Sequence, residues 1–465
     1  MSEAKSIYPE EYKERFLESA DIVFNDGTVV TPEEIWEYLT KQAPLDYPAA
    51  FSENAYYGRS LSRDFALPAA LKNAYLDLTL SDRMEKAKDK GIPVALRQGG
   101  QAVEPYTAAG TIALRPACVI RWARGRVKGN DVYQEDVENR NDRERAFREM
   151  SFECCQTAGY EFIQEGDLRV DIVAPYTALR CSDIPYSTEA HRHGKRKDEV
   201  RRFLVDYPVN HQGDKEWAID YFAENLRKLV KELDSISGKT TTEEDVRAAI
   251  HLHNEGRKLT QEIAELWWSA ETPPTNSTDR RALFTMGALE MHGDAQATLS
   301  VLREARDSIA QRVKDGVTGA GIDKHPKRIF VCGSCVSPNS FRTEAGGAVI
   351  VGNDDGWSYN SLLVDEDGDP YYNLAKTTLS YPYEQNIEGR GAWTVEQIRK
   401  ARADGVVFLY NWGCNTQSAI SRAVSDYVKR ETGIPTLIYE HELRGVQPEQ
   451  EQNRIDAFVE MVANG

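Results

Sequence analysis

Residues 405–424 read GVVFLYNWGCNTQSAISRAV, and this stretch decides the fold class. Val406 to Tyr410 are apolar at successive positions, as in a strand covered on both faces of a parallel sheet. From about Thr416 the pattern becomes that of an amphipathic helix. Cys414 therefore stands in the loop leaving the carboxyl end of a strand, where open α/β sheets hold their ligands. A thiol at such a place can be a core residue, a nucleophile or a metal ligand.

The flanking segments repeat the pattern. RIFVC (328–332) and GAVIV (347–351) read as strands, followed by a long polar loop, the helix TVEQIRKARAD (394–404) and the strand GIPTLIYE (433–440). Strands alternating with helices at this spacing predict a parallel sheet over residues 324–465. A first α/β unit is expected over 91–212. There GIPVALRQGG (91–100) is a strand running into a glycine turn, and PYTAAGTIALRPACVI (105–120) is a helix end and another strand. Val170 to Ala174 and RRFLVDYP (201–208) supply two more strands, while Arg121 to Arg148 reads as exposed loop and helix.

Residues 213–323, between the two units, read as helical. Ile219, Phe222, Leu226, Leu229, Val230 and Leu233 mark one face at helical spacing. A second helix is expected from the cap Thr241, with Glu244 three positions on, towards Trp267; a third stretch runs from Arg280 to Val313 after the break ETPPTNST. Residues 1–90 read as a mostly helical N-terminal extension, with a helix start at Thr31-Pro32-Glu33-Glu34. The expected class is α/β, with two Rossmann-like parallel-sheet domains joined by a helical segment.

A chain of 465 residues is too long for one ordinary core. Its 57 basic and 74 acidic side chains give a net charge of −17, which argues against a nucleic-acid or anionic-membrane partner. The start MSEAKSIYPEEYKERF has no apolar signal region, and no apolar run is long enough to cross a bilayer, so the expected location is cytoplasmic. The seven cysteines then read as thiols or metal ligands and not as disulfides.

Cys181, Cys332 and Cys414 each fall at or just beyond the end of an expected strand, and Cys155, with its neighbour Cys154, comes shortly before one. Taken singly, each reads equally well as a small buried hydrophobe. Together they gain meaning, because strand ends from two domains can face each other across one cleft. An iron centre needs soft ligands and tolerates ligands distant in sequence. The close C-x-x-C-x-x-C spacing of ferredoxins is absent, and no cysteine pair matches a histidine pair at zinc-finger spacing. The H-x-H pairs at His191/His193 and His251/His253 lie in polar surroundings and read as surface residues. Cys332-Gly-Ser-Cys335 is the one C-x-x-C; a redox or metal role is open to it, although VSPNSFR does not continue as a clean helix. G-x-S-x-G, H-E-x-x-H and the phosphate loop G-x-x-x-x-G-K-[ST] are all missing.

The ordered set YTAAGTIALRP (106–116), EGDLRVDIVAPYTALRC (165–181), YNWGCN (410–415), GIPTLIYEHE (433–442) and EQNRIDAFVEMV (451–462) resembles the 2-hydroxyacyl-CoA dehydratase and benzoyl-CoA reductase family. Gly433-Ile434-Pro435, Glu440 with Glu442, and Arg454 through Met461 fill the family's later motifs, and the likeness runs from about residue 90 to the end. The resemblance implies that Cys155, Cys181 and Cys414 bind a [4Fe-4S] cluster, with Cys154 as the alternative to Cys155. Three thiolates leave the fourth iron open to water or a substrate oxygen.

The implied function is that of the iron–sulfur subunit of an ATP-dependent radical 2-hydroxyacyl-CoA dehydratase, which forms an enoyl-CoA. One added electron makes a ketyl radical that expels the 2-hydroxyl and acidifies the β-hydrogen. The implied partners are a homologous second subunit in a heterodimer, a separate ATP-hydrolysing iron–sulfur activator and a CoA-thioester substrate. The missing phosphate loop agrees with ATP hydrolysis on another chain. Two other readings stay open: a benzoyl-CoA reductase-like or double-cubane-type low-potential reductase subunit, and a non-catalytic partner that only holds a cluster. Gly99-Gly100 stand where dehydratase α-type subunits have a serine, so no acid/base residue is named; no cysteine lies near Asn353-Asp354-Asp355, where the double-cubane branch tends to carry one.

Overall fold

The computed structural model describes residues 7–47, 51, 64–97, 100–115, 170–177, 198–208, 214–287, 291–333, 347–411, 417–441 and 449–464. Strands β1 (Ile22–Val23) and β2 (Val29–Val30) form a small antiparallel hairpin near the start. Strands β3 (Val94–Leu96), β4 (Ile112–Leu114), β5 (Ile172–Val173) and β6 (Arg201–Arg202) form one parallel sheet in the order β4-β3-β5-β6. Strands β7 (Lys327–Cys332), β8 (Ala348–Asn353), β9 (Gly405–Asn411) and β10 (Thr436–His441) form a second, in the order β8-β7-β9-β10.

Both sheets thus have the same winding. The second strand is laid on one side of the first and the third on the other, which is the Rossmann-like pattern expected from the sequence. The direction of winding reverses between β3 and β5, and again between β7 and β9. At such a reversal the loops leave towards opposite faces and open a crevice at the strand ends.

The apolar run of β9 is explained by cover on both sides. Val406 and Phe408 share a core with Phe330, Cys332, Val349 and Val351, whereas Val407 and Leu409 pack with Ile329, Val331, Ile350 and the final helix through Ile455 and Phe458.

The structure departs from expectation at three points. The cap of the Glu243–Ser269 helix is Thr242, not Thr241: Asp245 N–H donates to Thr242 Oγ1 at 3.2 Å and Thr242 N–H to Asp245 Oδ2 at 2.9 Å. Both threonines have an acid three positions on, and Thr241 instead donates from its backbone to Asp234, 2.9 Å. The stretch from Arg280 to Val313 is two helices, Ser277–Met286 and Ala295–Asp315, split at Met291, His292 and Gly293, which have φ of 46°, 52° and 71°. Asp294 caps the second of them, accepting from Ala297 N–H at 3.0 Å.

The third departure is the supposed polar loop between β8 and β9, which contains the helices Asp354–Asn360 and Pro370–Leu379 ahead of Ile387–Lys400. Asp369 starts the middle one by accepting from Tyr371 N–H at 2.9 Å, with Pro370 in the first turn. Tyr371, Leu374, Ala375 and Leu379 then pack into the first sheet's core with Phe222, Leu226 and Leu229 of the Glu216–Ser237 helix. A connection of the second sheet is therefore built into the core of the first.

The described residues of the N-terminal extension are largely helical, with the capping box at Thr31 and Glu34 in place. Phe16, Trp36 and Leu71 share a core with Leu299, Leu302 and Ile309 of the Ala295–Asp315 helix, and buried Lys72 pairs with Glu304 at 2.5 Å. The stretch from Arg121 to Arg148 lies outside the described residues. Among the described residues no helix is long and apolar enough to cross a membrane.

Candidate functional site

The crevice of the first sheet is shaped by the loop after β3. Gln101 Nε2 donates to the carbonyl of Ala174, just past β5, at 2.9 Å, so the two strand ends at the reversal are tied directly. Arg97, 1% exposed, donates to the Gln101 carbonyl at 3.0 Å and braces the same turn. Gly100 has φ +79°, and a Cβ placed there would stand 2.8 Å from the hydroxyl of Tyr359, which comes from the helix after β8. The loop of one sheet is therefore in contact with an element of the other, and the two crevices adjoin.

Below this turn lies a buried polar cluster. Glu104, in the first turn of the Glu104–Ala108 helix, pairs with Arg257 at 2.5 Å, and Arg257 also donates to Asn254 Oδ1 at 3.2 Å. Burial pushes the Glu104 carboxyl up, yet Arg257 and His253 hold it below the usual carboxylate range. His253 Nε2 bonds Thr107 Oγ1 at 2.9 Å, and burial pushes its pKa down to about 4, against the upward pull of Glu104. Tyr381 shares hydrogen bonding with Arg257, and its ring meets that of Tyr359 at 5.1 Å, with the Tyr383 ring 6.4 Å from Tyr359.

The crevice of the second sheet begins at Cys332 and Gly333. Gly333 N–H donates to Asp354 Oδ1 at 2.8 Å, and its carbonyl accepts from the Tyr383 hydroxyl at 2.5 Å and from Arg390 Nη2 at 3.4 Å. Arg390 Nε donates to Asp354 Oδ2 at 3.1 Å, and the guanidinium lies over the Tyr383 ring at 4.3 Å. Asp354 and Arg390 are both buried. Aromatic and polar side chains thus run without a break from Glu104 to Asp354, through Arg257, Tyr381, Tyr359, Tyr383 and Arg390. Such a wall is poor in water, and charges inside it act over longer distances than at the surface.

Cys332 is a core residue of β7, 1% exposed among Phe330, Val351 and Phe408, and burial pushes its thiol pKa well up. Its apolar surroundings, with the Asp354 carboxylate beside it, favour the neutral thiol. Cys154, Cys155, Cys181, Cys335 and Cys414 lie outside the described residues, as do His191 and His193. Among the described residues no three His, Cys, Asp or Glu side chains gather as a metal-holding group. His251 is exposed as expected and bonds Glu366 at 2.8 Å; His253 is not a surface residue, because it sits on the buried face of its helix beside Glu104.

The residues that line these crevices were not singled out from sequence as a site. Glu104 directly precedes the segment PYTAAG, and Asp354 lies in the noted Asn353-Asp354-Asp355, but nothing local marks Arg257, Tyr359, Tyr381, Tyr383 or Arg390. Their signal is buried charge, which appears only once the fold is known. The described residues fix only where the strands that precede two of the cysteines end. β9 ends three residues before Cys414, β5 eight before Cys181, and polar side chains are buried beside both reversals.

The family described as 2-hydroxyglutaryl-CoA dehydratase, D-component, matches residues 106–462. A benzoyl-CoA reductase subunit of Thauera aromatica is 28% identical over 222 residues, 45% of this chain and 53% of that protein. The alpha subunit of (R)-2-hydroxyglutaryl-CoA dehydratase of Acidaminococcus fermentans is 25% identical over 305 residues, 62% and 61% of the two chains. The (R)-phenyllactyl-CoA dehydratase beta subunit of Clostridium sporogenes is 22% identical over 253 residues, 52% and 63%. The matched region spans 53% to 63% of the length of these relatives.

Proposed function

Because the chain belongs to the 2-hydroxyglutaryl-CoA dehydratase D-component family, we propose that it is the iron–sulfur subunit of a radical 2-hydroxyacyl-CoA dehydratase. The observation that carries this reading is the pair of equivalent reversals, one leading to Cys181 and the other to Cys414, that adjoin through Gly100 and Tyr359. Cys181, Cys414 and Cys155, or Cys154 in its place, would hold a [4Fe-4S] cluster. Once bound, that group supplies a low-potential electron and an open iron for a substrate oxygen.

The chain's own residues exclude water and set the field. Gln101, Arg97 and Glu104 fix the loop on one side, and Asp354, Arg390 and Tyr383 fix the turn on the other. A buried wall of this kind keeps water from the electron-rich thioester, which water would otherwise protonate. The electron would come from a separate ATP-hydrolysing iron–sulfur activator, and the working form would pair this chain with a homologous second subunit. Relatives named as alpha and beta subunits support that pairing.

A second reading, reduction of an aryl-CoA thioester, is favoured by the likeness to the protein named as a benzoyl-CoA reductase subunit. An assay with reduced activator separates the two: loss of water from 2-hydroxyacyl-CoA with no net electron uptake supports the dehydratase, and net uptake of two electrons and two protons by an aryl-CoA supports the reductase. Cys414→Ser should abolish either turnover while leaving the folded chain intact; full turnover in that variant would refute a working cluster.

A further inference from the structure

The connection between the Asp354–Asn360 and Pro370–Leu379 helices runs as a strap along one face of the Glu243–Ser269 helix. Gln261 Nε2 donates to the Asn360 carbonyl at 2.6 Å where the strap begins. Asn254 then grips both sides of one residue: its Oδ1 accepts from Val364 N–H at 3.0 Å, and its Nδ2 donates to the Val364 carbonyl at 2.7 Å. The same Nδ2 reaches Glu366 Oε1 at 2.9 Å, and His251 meets Glu366 Oε2 at 2.8 Å. Arg247 donates to the Gly368 carbonyl at 2.8 Å. Positions 261, 254, 251 and 247 follow one stripe of the helix, so the strap descends it antiparallel.

This strap is attached less firmly than the helices at its two ends. Among the described residues, no main-chain to main-chain hydrogen bond is made from Leu362 to Gly368. Its peptide groups are held instead by the side chains of Asn254, Arg247 and Asn373, and by Asp365 within the strap. Val364, 2% exposed, is the one strap side chain that is buried, whereas Leu363 is 41% exposed. By contrast, Trp357 and Tyr359 before the strap and Tyr371 and Leu374 after it are all buried. Few buried apolar groups and anchorage by side chains alone mark a segment that opens at a lower free energy than the whole fold. What lies beneath gives such an opening a consequence. Leu362 packs against Tyr359, Tyr381 and Tyr383, the buried rings that stand between the two crevices.

We propose that residues 361–369 form a latch. The strap lifts from the Glu243–Ser269 helix as a local unit, with Asn254 as its catch, and in lifting withdraws Leu362 and uncovers the tyrosine wall between the two crevices. The flanking helices stay in place. This motion needs neither a bound cluster nor a thioester, so it stands or falls apart from the function proposed above.

Two readouts on the full chain test it: hydrogen exchange at the Val364 amide across low urea concentrations, and slow acetylation of Tyr359 and Tyr381 by N-acetylimidazole, both followed by mass spectrometry. In the wild type, Val364 should exchange by a route insensitive to low urea, whereas exchange in β7 and β9 should steepen with urea as global unfolding does. Asn254→Asp keeps the acceptor for Val364 N–H and for Arg257 but sets a carboxylate against the Val364 carbonyl and Glu366. It should speed exchange at Val364 about tenfold or more, still without urea sensitivity, and raise tyrosine acetylation in step. If Val364 follows the urea dependence of β7 and β9, the strap opens only when the chain unfolds and the latch is refuted. If acetylation does not rise with exchange, the strap does not cover the wall, and the proposal is equally overturned. Should Asn254→Asp fail to fold, Glu366→Ala, at a side chain 34% exposed, decides by the same two readouts.

Discussion

The guanidinium of Arg257 lies 2.5 Å from the carboxylate of Glu104, with 2% and 0% of the two side chains exposed. This ion pair joins the long Glu243–Ser269 helix to the turn that follows the first sheet's crevice loop. It also anchors Tyr381, through which the second sheet's connection reaches the same cluster.

Removing one partner leaves a buried charge without compensation. Arg257→Met should therefore destabilise the chain by about 3–5 kcal/mol. Glu104→Gln combined with Arg257→Met should recover a measurable part of that loss, because contacting residues do not add independently. Urea unfolding of the two single variants and the double variant checks this. Additive losses would show that the pair is not coupled.

His253 gives the protein an acid-sensitive step. Its ordinary pKa of 6.5 falls to about 4 in the fold, where Arg257, Arg97 and Glu104 are the charged groups around it. Between these values the unfolded chain binds the proton and the folded chain does not, so stability falls as pH drops from 6.5 towards 4. The contribution lost is about 3 kcal/mol at most. His253→Gln, which can keep a bond to Thr107, should flatten the dependence of melting temperature on pH across this window. An unchanged slope would assign the acid sensitivity to other groups.

Gly100 cannot carry a side chain without cost. Its φ of +79° penalises any L-residue by about 1–2 kcal/mol, and a methyl group would press on the Tyr359 hydroxyl. Gly100→Ala should lower stability and displace the contact between the two crevices. Adding Tyr359→Phe removes the nearest atom but leaves two ring carbons at 3.1 Å, so it should relieve part of the steric cost and none of the backbone penalty. Thermal melts of the three variants separate the two effects, and full recovery in the double variant would contradict the backbone argument.

Cys332, despite its C-x-x-C spacing, behaves as core. Cys332→Ala should cost about 1–2 kcal/mol through the small cavity it leaves. It should not change the iron content of the anaerobically purified protein. Loss of iron in this variant would restore Cys332 as a candidate ligand.

The fold was legible because the strongest signals in the sequence are local. The continuous apolar runs at Ile329–Cys332 and Val406–Tyr410 announce strands covered on both faces, and their spacing announces the crossover helices. The misreadings occurred where two local solutions were equally good. Thr241 and Thr242 each have an acid three positions on, and the polar composition of 354–386 hides short helices, one of them capped at Asp369 and buried by Tyr371 and Leu374. The thiols could be placed relative to strand ends, but the wall around them could not. Glu104 and Arg257 are 153 positions apart, and no periodicity links them. His253 was misread for the same reason: an H-x-H pair in a polar stretch looks exposed until the helix is seen to turn one of the two inward.

The most direct test of the central claim is the iron and acid-labile sulfide content of the chain purified under strict exclusion of oxygen, beside its Cys414→Ser variant. A brown wild-type protein with about four irons and four sulfides per chain, and a variant that loses them while keeping its far-UV spectrum, is the expected result. A colourless, iron-free wild type, or a Cys414→Ser variant with undiminished iron, would contradict it.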